Sequence, residues 1–110
     1  MGVSRLNLNA IKEALLTVGP PVSRYTALEQ PNKYIVWAED NQANSVWADG
    51  MMQEQAIEGT IDYYTKSEND PNVKKIQDAL NGVCSWRLNS IQYEDDTRYL
   101  HYEFIWRVWR

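Results

Sequence analysis

Two segments of this chain space their apolar residues three and four positions apart, and the remainder alternates or runs apolar in short blocks. Leu8, Ile11, Leu15 and Val18 recur at helical spacing with Lys12 and Glu13 on the opposite side, which predicts an amphipathic helix over 8–18. Asn7 is placed to cap its start. Gly19 followed by Pro20-Pro21 stops it, because Gly accepts the left-handed position after a helix and Pro cannot continue the hydrogen-bond ladder. A second helix begins at Asp70-Pro71: the Asp side chain accepts from free first-turn amides, and Pro gives up an amide that would be unpaired anyway. Val73, Ile76 and Leu80 form its buried stripe with Ala79 alongside, Lys74, Lys75, Gln77 and Asp78 face solvent, and Gly82 ends it.

Elsewhere the period shortens. Tyr34–Ala38, Ser45–Ala48 and Trp86–Ile91 are rich in β-branched and aromatic residues bounded by polar turns, and read as strands. Asp40–Asn44 reads as a hairpin loop, Asp49-Gly50 as a tight turn, and Glu94–Arg98 as the turn of a final hairpin. A short strand is expected over Val22–Thr26. Met52–Lys66 has a helical start, but Thr60, Ile61, Tyr63, Tyr64 and Thr65 favour extension, so it is read as one long strand kinked at Gly59. The order is α-β-β-β-β-α-β-β, and the expected architecture is α+β, with two helices packed on an antiparallel sheet in a single domain over 1–110.

The last strand separates two faces. Leu100, Tyr102, Phe104, Trp106 and Val108 fall on one side, and Tyr99, His101, Glu103, Ile105, Arg107 and Trp109 on the other. Helices cover one face only. Ile105 and Trp109, with the two-sided apolar run Tyr34–Ala38, therefore require either self-association or a second sheet closing a small sandwich.

Composition narrows the function. Five Trp and seven Tyr sit almost entirely in the strand-like segments, against one His and one Cys. Aromatic residues bury large areas and are enriched at protein interfaces, whereas catalysis needs convergent titratable groups. His101 and Glu103 share a strand face without a nucleophile nearby, which reads as a surface ion pair. One His and one Cys fall short of a zinc set, Asp95-Asp96 lacks the spaced ligands of a calcium loop, and no phosphate-cradling glycine motif occurs. No catalytic residue, metal or cofactor is expected. Fifteen acidic against eleven basic residues give a net charge of −4, which disfavours nucleic acid. No stretch approaches the roughly 18 to 20 apolar residues of a membrane helix, and the start lacks a signal-peptide core. A lone Cys84 beside Val83 and Trp86 reads as a small buried hydrophobe that suits a reducing compartment.

The phrases Ile11–Leu16, Ala27–Asp40, Gly59–Lys66 and Trp86–Glu94 resemble the small tail-completion, or tail-terminator, proteins of long-tailed phages and of prophages of Gram-positive bacteria. The resemblance covers almost the whole chain and rests on overall phrases and element order, without a catalytic signature. It implies a noncatalytic virion subunit that assembles in the host cytoplasm. As a homo-oligomeric ring, generally a hexamer, it would cap the head-proximal end of the tail, contacting the major tail-tube protein and a head-completion protein. Such a subunit can stay monomeric in solution until it meets a finished tube. On this reading Trp37, Trp47, Ile105 and Trp109 contribute to subunit contacts, and the acidic loops Glu39-Asp40 and Glu94-Asp95-Asp96 face a tube or connector partner. Trp37 and Trp47 can equally pair within the core. Two other functions compete: another head–tail connector or tail-assembly component, and a regulatory α+β domain holding a ligand in an aromatic pocket.

Overall fold

Alternating inward residues on three long strands create one apolar sheet face, and both helices settle on it. The computed structural model describes the backbone of residues 8–48 and 51–109 and the side chains of 8–40 and 56–108. The element order is α1 (Leu8–Leu16), β1 (Val22–Arg24), β2 (Lys33–Ala48), β3 (Met51–Thr65), α2 (Pro71–Leu80), β4 (Ser85–Glu94) and β5 (Tyr99–Trp109). The strands form one five-stranded sheet in the order β1-β2-β3-β5-β4. The fold class is α+β, as the periodicity predicts.

The helix-side face gathers Ile35 and Trp37 from β2, Ile61 and Tyr63 from β3, and Phe104, Trp106 and Val108 from β5. Ile11, Leu15 and Val18 of α1 region and Ile76 and Leu80 of α2 close over them. Fully burying each large side chain of this kind is worth about 1.5–3 kcal/mol. α2 starts as its sequence predicts: Asp70 is the N-cap, its carboxylate accepts from the Asn72 amide at 2.8 Å, and Pro71 takes the first turn. After Asn81, Gly82 turns the chain away at φ 85°.

Two details of the sheet depart from the sequence reading. The strands expected at 34–38 and 45–48 are one element, because Asp40–Asn44 stays extended and pairs with β3 instead of forming a loop. Register shifts at Glu39/Asn41, Ala43/Val46 and Val46/Trp47 absorb the polar run that imitated a turn. The antiparallel pairing of β2 with β3 runs to Ala48 opposite Met51, and Asp49-Gly50, the expected tight-turn pair, lies outside the described residues. β1 joins β2 in parallel, Val22 opposite Ile35 and Arg24 opposite Trp37, so the sheet is mixed rather than wholly antiparallel. The predicted Asn7 cap also lies outside the described residues.

β3 holds together the middle of the sheet, and at Gly59 its neighbours close in on the backbone. A Cβ there would meet the carbonyl oxygen of Ala38 and the indole of Trp106. Trp106 lies over that site and donates from Nε1 to the Thr60 carbonyl at 3.1 Å. β3 pairs with β5 from Ala56 to Thr65, while its partner β2 continues past that point as a two-stranded ribbon. A strand of this length spans about 50 Å, which matches the 51 Å long axis of the molecule against 26 and 24 Å across.

Candidate functional site

Residues paired across neighbouring strands point to the same face, so the register fixes what the helix-free side presents. Tyr34, Tyr64 and His101 form one row, Val36, Asp62 and Glu103 the next, then Ala38, Thr60 and Ile105, and finally Glu58 and Arg107. Among the described residues no second sheet covers them. The sandwich alternative therefore has no counterpart in this fold, and Ile105 stays half-buried among polar neighbours.

At one end of this face four rings pack together. Tyr34 stacks on Tyr64 at 4.6 Å between centroids, Tyr64 stacks on His101 at 4.3 Å, and Tyr99 meets Tyr34 edge-on at 5.4 Å. The Tyr99 hydroxyl donates to the carbonyls of Gln30 and Pro31 at 2.9 and 2.6 Å, anchoring the 25–32 loop to the cluster. Burial, reinforced by nearby Tyr99, Glu94 and Asp62, pushes the Tyr34 hydroxyl up to about 12. Burial and Asp62 do the same for Tyr64, also to about 12. Both stay neutral at physiological pH.

The charges on the face are mostly matched in pairs. His101 Nε2 lies 2.7 Å from Asp62, and Arg107 lies 3.5 Å from Glu58. Glu103 accepts from the Asn89 amide at 2.9 Å. Asp40, the extra residue at the first bulge, is exposed overall, and partial desolvation of its carboxyl by neighbouring side chains, with the charges of Asp62, Glu103 and Glu58, raises its pKa. A shallow cavity of about 220 Å³ near the start of β4 is lined by Glu58, Ser85, Trp86, Ile105 and Trp106 among others. That is below the roughly 300–1,000 Å³ usual for small-molecule clefts, and the Glu58–Arg107 pair crosses it.

Apart from Leu16 on α1, the exposed large apolar side chains among the described residues lie at the sheet edges. Leu88, Ile91 and Tyr93 lie along β4 on the helix side but outboard of both helices, and Ile91 and Tyr93 are 55% and 57% exposed. At the opposite edge, the loop after β1 presents Tyr25 and Leu28, the latter 88% exposed. Tyr25 has a φ of 71°, and the Thr26 amide donates back to the Arg24 carbonyl at 2.9 Å, closing a tight three-residue turn. Sequence reasoning did not single out these residues. The β4 alternation could have flagged Ile91 and Tyr93, while nothing local marks the turn at Tyr25.

The residues chosen from sequence scatter. Trp37 is 3% exposed in the core, packed near Trp106 at 6.3 Å and under the Arg24 guanidinium at 4.8 Å, so its indole is spent within the protomer. Trp47 pairs with Met52 in the ribbon and Trp109 with Ala56 on β5; their side chains lie outside the described residues. Glu39 is engaged by Arg24, whose hydrogen bonds hold its carboxyl below the usual range against burial. Glu94 begins the β4–β5 turn, where Asp95 and Asp96 are exposed. Cys84 is half-buried, with burial pushing its thiol up to about 11, which leaves it unreactive.

No group of three or more His, Cys, Asp and Glu among the described residues is arranged to hold a metal ion. No helix among them is long and apolar enough to cross a membrane. A scan against protein-family models finds no match to this chain, and a search of curated proteins finds none either.

Proposed function

We propose that this chain is a tail-completion, or tail-terminator, subunit of a long-tailed phage. It caps the head-proximal end of the tail tube as a ring, generally a hexamer, and helps join tail to head. The observation that carries the reading is the β2–β3 ribbon, which runs on past the strands that flank it, so that among the described residues neither of its outer edges there pairs with another strand. An arm of this kind suits a subunit that works by contact between copies. The resemblance of the sequence phrases to tail terminators points the same way, and the exposed apolar edge of β4 supplies a candidate second contact surface.

In this reading Ile105, Trp47 and Trp109 contribute to subunit contacts and Trp37 keeps the core in place behind them. Asp40 and the Glu94–Asp96 turn face the tube or the head-completion protein. The subunit belongs to the virion tail after assembly in the host cytoplasm. The test is deletion of the gene in a producing phage, followed by electron microscopy. Overlong or unjoined tails are the expected result, and normal virions would reject the proposal.

A further inference from the structure

His101 has a carboxylate against each ring nitrogen. Asp62 Oδ1 from β3 lies 2.7 Å from Nε2, and Glu94 Oε2 from the end of β4 lies 3.7 Å from Nδ1. A neutral imidazole carries one N–H and one lone pair, so in either tautomer one carboxylate faces a lone pair. Only the doubly protonated ring offers a hydrogen to both. The ring also lies flat on Tyr64, 19° from parallel, a placement that favours a cation over the aromatic face.

The other groups around it agree. Glu103 stands two residues along β5, Tyr34 of β2 and Tyr99 of β5 complete the aromatic cluster, and Gln92, opposite on β4, is uncharged. The Lys66 ammonium sits at this end over the Tyr99 ring at 4.8 Å. Glu94 holds the turn as well as the histidine: it accepts from Thr97 Oγ1 at 3.0 Å, and its carbonyl accepts from the Arg98 amide at 2.7 Å.

We propose that protonated His101 is a clasp that ties the β4–β5 turn to the C-terminal end of β3, and that the turn loosens when the ring loses its proton. The inference stands on the local geometry and is independent of the tail reading. The direction of the histidine's own titration agrees: the Asp62 hydrogen bond, against burial and with the charges of Asp62, Glu94 and Glu103, raises its pKa above 6.5. A folded-state value above the unfolded one makes the clasp fully effective below pH 6.5, and its contribution is lost as pH rises through the folded value. The device sets how firmly the acidic residues 94–96 are presented.

The experiment follows the His101 ring by NMR across pH in the wild-type chain, D62N and E94Q, together with hydrogen-exchange protection of the Arg98 amide corrected for intrinsic rate. The expected wild-type ring titrates above 6.5, and both variants bring it down, D62N further. Arg98 protection falls about two- to fivefold across that titration, the scale of one partly exposed ion pair, and is flat with pH in H101Q. A wild-type ring titrating at or below 6.5, or Arg98 protection that follows the same pH course in wild type and H101Q, would overturn the clasp.

Discussion

Under the helices, Ile35, Ile61, Phe104 and Trp106 are completely removed from water, whereas the reverse side of the same strands carries Asp62, Glu103, Glu58 and Arg107 around Ile105. One side is held by dispersion and hydrophobic burial, which is non-directional and tolerates no void. The other is held by ring stacking and paired charges, which are directional and respond to solvent conditions. Successive residues of β5 thus belong to different physical regimes. A substitution at Trp106 and one at Ile105 touch the same strand but test different things.

The largest effect is expected at Trp106. Truncation to Ala removes the indole that covers Gly59 and should cost about 3–5 kcal/mol in urea denaturation, against about 1 kcal/mol for Ile105→Ala on the other face. Similar losses for the two would erase the contrast between faces. Asp70→Ala comes next, at about 2–3 kcal/mol. It strips the helix cap and the carboxylate that accepts from the Tyr63 and Thr65 hydroxyls at 2.7 and 2.6 Å, with Lys33 at 3.4 Å.

Asp70 also predicts acid sensitivity. Burial pushes its carboxyl up, but the hydrogen bonds from Thr65, the Asn72 amide, Tyr63 and Lys33 outweigh it and hold the group below 3.8. Its contribution is therefore present above the unfolded value and lost as pH falls through the folded one. Denaturation midpoints collected from pH 5 downward should drop less steeply in Asp70→Asn than in wild type, within roughly that acid window. On the open face, Tyr64→Leu should cost about 1 kcal/mol through its lost stacking, read by thermal unfolding. Ile91→Ser on the β4 edge should leave stability within about 0.5 kcal/mol. If the edge serves assembly, that same variant lowers the yield of joined tails while its unfolding curve stays put.

Much of the fold was written locally. The 3.6-residue spacing over Leu8–Val18, the Asp70-Pro71 start and the two-residue alternation from Tyr99 each name an element without help from the rest of the chain. What escaped the sequence depends on partners distant along it. Asp40–Asn44 looks like a loop because its residues are polar, yet the backbone there pairs with β3, a partner distant in sequence that local composition does not reveal. Sequence leaves Trp37 open between the core and a neighbour because Tyr34–Ala38 is apolar on both faces, and the register and burial turn it inward and Tyr34 outward. The Tyr34, Tyr64, Tyr99 and His101 cluster draws on three strands, so its pairings are set by cross-strand alignment. The Glu103 that seemed to be the natural mate of His101 yields that place to Asp62, which faces it from β3.

The irregular pairing of β2 with β3 bears on unwanted strand pairing between molecules. A long, flat, uninterrupted pair of free edges is a template for indiscriminate strand stacking into fibres. Three shifts of register between Glu39 and Trp47 break that template, with Asn41, Gln42, Asn44 and Ser45 leaving the stretch between them polar. Such irregularity works against indiscriminate strand addition along the ribbon.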